Sequence, residues 1–160
     1  MFWNGLSWNG RSGGLMGSRR FIDHTADILF EAEGKTLEEV FEQCGLAVEE
    51  SQVNLDKVKA TTKKTFHLDN KTVDGLLFDF LDDLLFYKDA EQLIFSKFEF
   101  ILKKPDESKE GVYQLAVTAF GEKLNPKKHE FKVDVKAITM HLFEVKKTSK
   151  GWKATVLVDI

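Results

Sequence analysis

Two stretches of the chain carry apolar residues at helical spacing. In the first, Thr36 and Glu39 form a capping box, and apolar side chains then recur every three or four residues. The members of this first stripe are Leu37, Val40, Phe41, Cys44, Ala47 and Val48. The second stripe follows Thr72 and comprises Leu76, Leu77, Phe80, Leu81, Leu84 and Leu85. Each stripe predicts an amphipathic helix that must be covered by another layer of the protein.

Alternating apolar and polar residues predict β-strands elsewhere in the chain. The predicted strands lie within residues 28–33, 53–70, 98–103, 113–119, 131–141 and 152–158. We expect Gly121 to end the strand that begins at Tyr113, and residues 98–119 to form an antiparallel hairpin. The pattern therefore predicts an α+β fold, in which two amphipathic helices pack on an antiparallel-rich sheet within a single compact domain.

Composition narrows the possible classes of protein. The 160 residues suit one domain, and the net charge of −3 argues against a uniformly basic nucleic-acid-binding surface. The single cysteine, Cys44, excludes an internal disulfide, and its place on the first apolar stripe predicts a core residue. No apolar run approaches the roughly 20 residues of a membrane-spanning helix.

Residues 1–20 differ from the rest of the chain. They contain five of the eleven glycines and two of the three tryptophans, but no acidic residue. Such a segment has little periodic apolar surface to bury, so we expect a disordered or extraneous extension before a domain at residues 21–160. Arginine and serine without acids are also typical of an organelle transit peptide, and a cloning or alternative-start remnant is a further interpretation.

A short acidic motif precedes the first domain strand. Asp23, His24 and Asp27 lie within five residues, and the chain closes on Asp159 and Ile160. If these two regions meet, their carboxylates form an oxygen-rich pocket suited to a hard divalent cation. The simpler alternative is a turn, because aspartate and threonine commonly cap turns.

Residues 123–129 form a locally basic loop in an acidic protein. Lys123, Lys127, Lys128 and His129 could contact a phosphate or an acidic partner, or simply form a solvated loop. Further along, Lys136 enters an apolar strand pattern, where it either extends to the surface or pairs with a carboxylate such as Asp159.

Five pieces of the sequence, in order, resemble the archease family. They are the Asp23–Ile28 motif, the helix entry Gly34-x-Thr36-Leu37-Glu38-Glu39-x-Phe41, Gly121-Glu122-x-Leu124 with Lys128-His129, Val135-Lys136-Ala137-Ile138-Thr139, and the terminal Asp159-Ile160. The resemblance covers essentially all of residues 21–160.

The resemblance implies a non-catalytic function. Archeases activate the RtcB-type tRNA-splicing RNA ligase by promoting its guanylylation, which depends on GTP and metal, and its multiple turnover. This implies a ligase complex as partner, indirect contact with tRNA, no membrane association, and a cytoplasmic or nuclear location unless residues 1–20 direct the chain to an organelle. The family's metal site, usually calcium, with magnesium or manganese as alternatives, matches Asp27, Asp159 and Ile160. Asp23, His24, Lys136 and His141 match positions that could lie beside the metal or contact the partner.

Two alternatives from other classes stay open. One is a metal-dependent phosphoester hydrolase, in which Asp27 and Asp159 hold the cation and His24 or His141 serves as general base. The other is a protein-binding adapter that uses the same edge without a metal.

Overall fold

Two helices with well-defined ends anchor the fold. A computed structural model describes residues 7–9, 17–23, 26–106 and 111–160. Helix α1 spans Leu37–Gln52 and begins with the predicted capping box, in which the Thr36 side chain accepts from the Glu39 N–H. Helix α2 spans Val73–Glu91, is capped by Thr72, and ends at Gln92 in the left-handed conformation. No helix in the described ranges is long and apolar enough to cross a membrane.

The strands of the described residues form two antiparallel sheets. Their bounds are β1 Ser7–Asn9, β2 Ser18–Ile22, β3 Asp27–Gly34, β4 Thr62–Asn70, β5 Leu93–Lys103, β6 Tyr113–Lys123, β7 Ala137–Thr148 and β8 Gly151–Asp159. The five-stranded sheet has the order β1-β2-β3-β8-β7, and the three-stranded sheet has the order β4-β6-β5. The predicted α+β class with antiparallel strands and two packed helices is confirmed, but the strands divide into two sheets.

The helices lie between the sheets, because α1 contacts both β3 and β5 while α2 contacts both β4 and β7. One apolar cluster joins all three layers, and its largest fully buried side chains include Phe30 of β3, Phe41 of α1 and Phe80 of α2. Cys44 is fully buried in this cluster, as predicted, and burial raises the pKa of its thiol. The sequence predicted one buried stripe on α1, but contact with two sheets buries almost its entire surface.

The predicted strand at residues 131–141 is wrong in its first half. Among the described residues, the only strand-like contacts of residues 131–136 are a bridge between Phe131 and Val53 and the hydrogen bond from the Lys136 N–H to the Asp159 carbonyl of β8. Instead, the N–H groups of Lys132 and Val133 donate to the carbonyls of Gln52 and Ser51 at the end of α1. This segment therefore caps a helix, and the strand itself begins only at Ala137.

The prediction that Gly121 ends β6 is also wrong. Gly121 lies within β6, opposite Phe95 of β5 and Thr62 of β4. A Cβ atom at this position would collide with the carbonyl oxygen of Ile94. Glycine is therefore required here by the close approach of β5.

The boundary predicted between residues 20 and 21 falls inside strand β2. Arg19 of this strand is buried, and its guanidinium donates to both carboxylate oxygens of Glu50, at 2.8 and 2.9 Å, and to Gln43. Such a bidentate pair ties β2 firmly to α1. The prediction for most of residues 1–16 lies outside the described residues.

Candidate metal site at the end of the five-stranded sheet

Asp27 and Asp159 are direct neighbours across a strand pair. Asp27 begins β3, Asp159 ends β8, and the antiparallel register places them opposite each other. Side chains that are directly opposite in such a pair lie on the same face, with Cβ atoms about 4.5–5.5 Å apart. The adjacent Ile28 and Val158 are buried in the core, so both carboxylates point to the outer face of the sheet.

A third segment reaches the same end of the sheet. The Lys136 N–H donates to the Asp159 backbone carbonyl at 2.8 Å, and Ala137 is the register partner of Asp159 on the other side of β8. The sequence left open whether the Lys136 side chain extends to the surface or pairs with Asp159. Lys136 is exposed and contacts Asp159 through this backbone hydrogen bond.

Ile160 is held by its own side chain, which is partly buried and packs against the main apolar cluster. Asp159 is fixed by strand pairing and Ile160 by the core, so the main chain of Ile160 follows directly after the Asp27–Asp159 pair. The residues available here are therefore oxygen donors, which suit calcium or another hard cation.

The remaining predicted residues lie around this edge at varying positions. Asp23 is exposed in the connection between β2 and β3, which also contains Ala26 with a φ of +67°. His24 lies outside the described residues. His141 is exposed on β7, in a stretch where the register with β8 shifts between Thr139 and Glu144. The register therefore joins Asp27, Asp159 and the Lys136 backbone, but it does not pair His141 with them.

The arrangement is sparse for a complete cation site. Across the parts of the chain that the structure describes, no group of three or more His, Cys, Asp or Glu side chains converges as a metal site would require. Calcium takes six to eight oxygen ligands. Two carboxylates and the Ile160 main chain would supply only part of that number, so water or a partner's oxygens would complete the shell.

A buried polar network that the sequence did not predict holds the segment leading into this edge. The Lys88 ammonium of α2 donates at 2.7 Å to the Gln52 side chain, to Asp134 and to the Val135 carbonyl. Lys88 is thereby bound to the residue immediately before Lys136. The sequence does contain one signal that Lys88 is buried, because this residue falls four residues after Leu84 on the apolar stripe of α2.

Glu49 extends this network into the core. It is fully buried, accepts from the Phe95 N–H at 2.7 Å, and also contacts the Gln52 side chain. Burial raises the pKa of Glu49 to about 8, although the Phe95 N–H, the Lys88 charge and Gln52 all act to lower it. Glu49 therefore resists ionisation at neutral pH and serves as a buried link between α1 and β5.

The predicted basic loop is organised around one acid. Glu122 accepts from Lys128 at 2.8 Å, from His129 at 2.9 Å, and from the Lys59 N–H at 2.8 Å. The Asn125 N–H donates to Nδ1 of His129, which places the proton on Nε2, facing Glu122. Burial alone would raise the pKa of Glu122, but these three donors lower it to about 2.

His129 is therefore not an exposed member of the loop, because it is 2% exposed and bound to Glu122. Lys123 and Lys127 remain exposed.

Comparisons with known proteins agree with this architecture. The model of the Archease protein family matches residues 20–160. The chain is 38% identical to protein archease of Methanosarcina mazei over 140 residues, which is 88% of this chain and 94% of that protein. It is 39% identical to protein archease of Pyrococcus furiosus over 139 residues, covering 86% of this chain and 95% of the relative.

A solved structure shows the same fold. The solution structure of Methanobacterium thermoautotrophicum protein 1598 superimposes with a TM-score of 0.73 at 34% identity. The match covers 89% of this chain and 98% of that protein. The fold and the paired strand ends thus define a small α+β protein with two carboxylates at one end of its five-stranded sheet. The chain belongs to the archease family.

Proposed function

We propose that this protein is a non-catalytic activator of the RtcB-type tRNA-splicing RNA ligase. In this function it promotes the GTP- and metal-dependent guanylylation of the ligase and allows multiple turnover. Family membership supports the proposal. The structural observation that carries it is the direct pairing of Asp27 with Asp159 on the outer face of a sheet end.

A divalent cation would be held by Asp27, Asp159 and the Ile160 main chain, with calcium favoured over magnesium or manganese. Two carboxylates this close repel each other unless a cation, a donor or water lies between them. A bound cation would offset that repulsion and present a positive centre at the edge that meets the ligase. Lys136 and His141, which are both exposed, would contact the partner or the ligase-bound nucleotide.

An activator of this kind works through differential binding. It must bind the GTP-competent state of the ligase more tightly than the stalled state, because equal affinity for both states shifts no equilibrium. The only cysteine, Cys44, is buried with a raised pKa and cannot act as a nucleophile. Splicing of tRNA would place the protein in the cytoplasm or the nucleus.

The test is multiple-turnover RNA ligation by the cognate ligase at low concentration, with GTP and manganese. Wild-type protein should stimulate turnover, and Asp27→Ala and Asp159→Ala should each abolish the stimulation. Asp69→Ala is the matched control, because Asp69 is an exposed aspartate near the end of β4 on the other sheet. Stimulation retained by both site variants would remove these carboxylates from the mechanism.

The hydrolase alternative is tested separately with the isolated protein. If the wild-type protein hydrolyses a phosphoester or nucleotide and Asp27→Ala loses this activity, the hydrolase interpretation would replace the activator interpretation.

A further inference from the structure

The basic loop lies beside a second lysine-rich segment. Residues 57–64 contain four lysines and no acid, and residues 123–129 contain three lysines and no acid. Two hydrogen bonds join the first segment to the two residues just before the second, near one end of β6: the Thr61 N–H donates to the Gly121 carbonyl at 3.0 Å, and the Lys59 N–H donates to Glu122. Two sequence regions that are more than 50 residues apart thus form one surface.

An aromatic ring lies in the middle of this surface. Phe120 of β6 has Lys63 of β4 and Lys97 of β5 as its register partners on either side. Its neighbour Ala119 is buried in the core, so the Phe120 ring faces outward and is partly exposed. The Lys97 ammonium lies 5.0 Å from the centre of this ring. A row of lysine, phenylalanine and lysine therefore crosses the outer face of the three-stranded sheet.

Lys64 is paired with Glu91 at 2.8 Å, but little negative charge offsets the lysines that remain. The carboxylate of Glu122, within the surface, already accepts from Lys128 and His129. Glu99 approaches Lys97 only to 3.7 Å, and both side chains are more than half exposed. The result is a positive surface on a protein whose net charge is −3.

We propose that this lysine–phenylalanine surface, comprising Lys59, Lys63, Lys97 and Phe120, binds single-stranded nucleic acid. The lysines contact backbone phosphates, and an unpaired base stacks on the Phe120 ring in place of the Lys97 ammonium. Positive grooves with outward aromatic rings on sheet faces bind single strands in this manner. An acidic protein segment would use the lysines but would not need the ring.

This surface is separate from the Asp27–Asp159 edge, since the two lie on different sheets. The inference therefore does not depend on the proposed ligase function. Nucleic-acid binding by the isolated protein tests the lysine–phenylalanine surface, and stimulation of the ligase tests the proposed function.

The experiment is fluorescence anisotropy of a labelled 12-nucleotide oligouridine with the full chain, repeated over a series of salt concentrations. Wild-type protein should bind, with affinity falling as salt rises. Lys63→Gln combined with Lys97→Gln should weaken binding at least tenfold and make the salt dependence less steep, because two phosphate contacts are lost. Phe120→Leu should weaken binding about tenfold and leave the salt dependence unchanged, because a stacking contact carries no charge.

The matched control is Lys147→Gln combined with Lys150→Gln, which removes the same charge from the β7–β8 hairpin. It should change affinity less than twofold, and all variants should melt within a few degrees of wild type. Equal weakening by the control would indicate general electrostatic attraction and overturn the proposal. The proposal would also be overturned if the protein did not bind oligouridine at low salt. Binding of a duplex of the same length as tightly as the single strand would overturn it too. Binding of polyglutamate with no effect of Phe120→Leu would reassign the surface to an acidic protein.

Discussion

Glu122 and the Asp27–Asp159 pair are carboxylate groups at strand ends, but they lie on different sheets and in opposite surroundings. The Glu122 carboxylate accepts hydrogen bonds from the Lys128 ammonium, the His129 imidazole and the Lys59 N–H. Asp27 and Asp159 instead face each other, so like charges are brought together by the strand register. The first arrangement satisfies an acid within the fold and fixes a loop. The second brings two carboxylates together at the place where the proposed function puts a cation.

The strongest test of this contrast is a cation titration. Calcium should stabilise the wild-type protein by about 2.7 kcal/mol when its concentration is 100 times the dissociation constant. Asp27→Asn and Asp159→Asn should each abolish this gain, whereas Asp69→Asn should retain it. Thermal melting in calcium and in chelator, with magnesium and manganese compared, provides the measurement. Melting curves that no cation changes would favour the adapter interpretation.

Glu122→Gln should cause the next largest effect. The substitution keeps the shape of the side chain but leaves Lys128 and His129 with a neutral acceptor, so we expect a loss of about 2 kcal/mol of unfolding free energy. Urea unfolding measures this loss. Glu99→Gln, which removes an exposed acid from the neighbouring strand, should cost less than about 0.5 kcal/mol. Equal effects of the two substitutions would show that the Glu122 contacts contribute little to folding.

The same variant yields a pH signature. The pKa of Glu122 is lowered from 4.5 to about 2 in the folded protein. Its stabilising contribution is therefore complete above about pH 4.5 and is lost as the pH falls towards 2. The difference in unfolding free energy between wild type and Glu122→Gln should be constant from pH 5 to 7 and should shrink below pH 4.5. A difference that does not change down to pH 2 would contradict the assigned contacts.

The smallest predicted effect has the opposite sign. In chelator, Asp159→Asn should stabilise the protein by about 0.5 kcal/mol, because it removes like-charge repulsion across the strand pair. Urea unfolding of this variant and of Asp69→Asn would measure the difference. Destabilisation of Asp159→Asn in chelator would show that the pair is already satisfied by groups within the protein.

Local patterns predicted the helices well, because their signals lie within a few residues. The Thr36–Glu39 capping box and the two apolar stripes correspond to α1 and α2. The division of strands into two sheets could not be predicted in this way, since strand partners are chosen over long distances. Alternation at residues 131–136 predicted a strand, but alternation does not reveal that the backbone partners of Lys132 and Val133 are helix-end carbonyls.

The candidate site was predicted only in part for the same reason. The sequence placed acidic residues at both ends of the domain, and the register brings Asp27 and Asp159 together. The supporting residues Lys88 and Glu49 were missed, because a charged residue within a helix is usually exposed. They are buried here because the helices are covered by sheets on two sides.

The pairing of β3 with β8 has a consequence for how the protein is made. These strands come from opposite ends of the described chain, so their contact closes the longest loop in the fold. During synthesis, β3 leaves the ribosome well before β8, because the rest of the fold lies between them in the chain. A growing chain that lacks β8 therefore cannot display the paired carboxylates. Any activity that depends on this pair is withheld until β8 has been made.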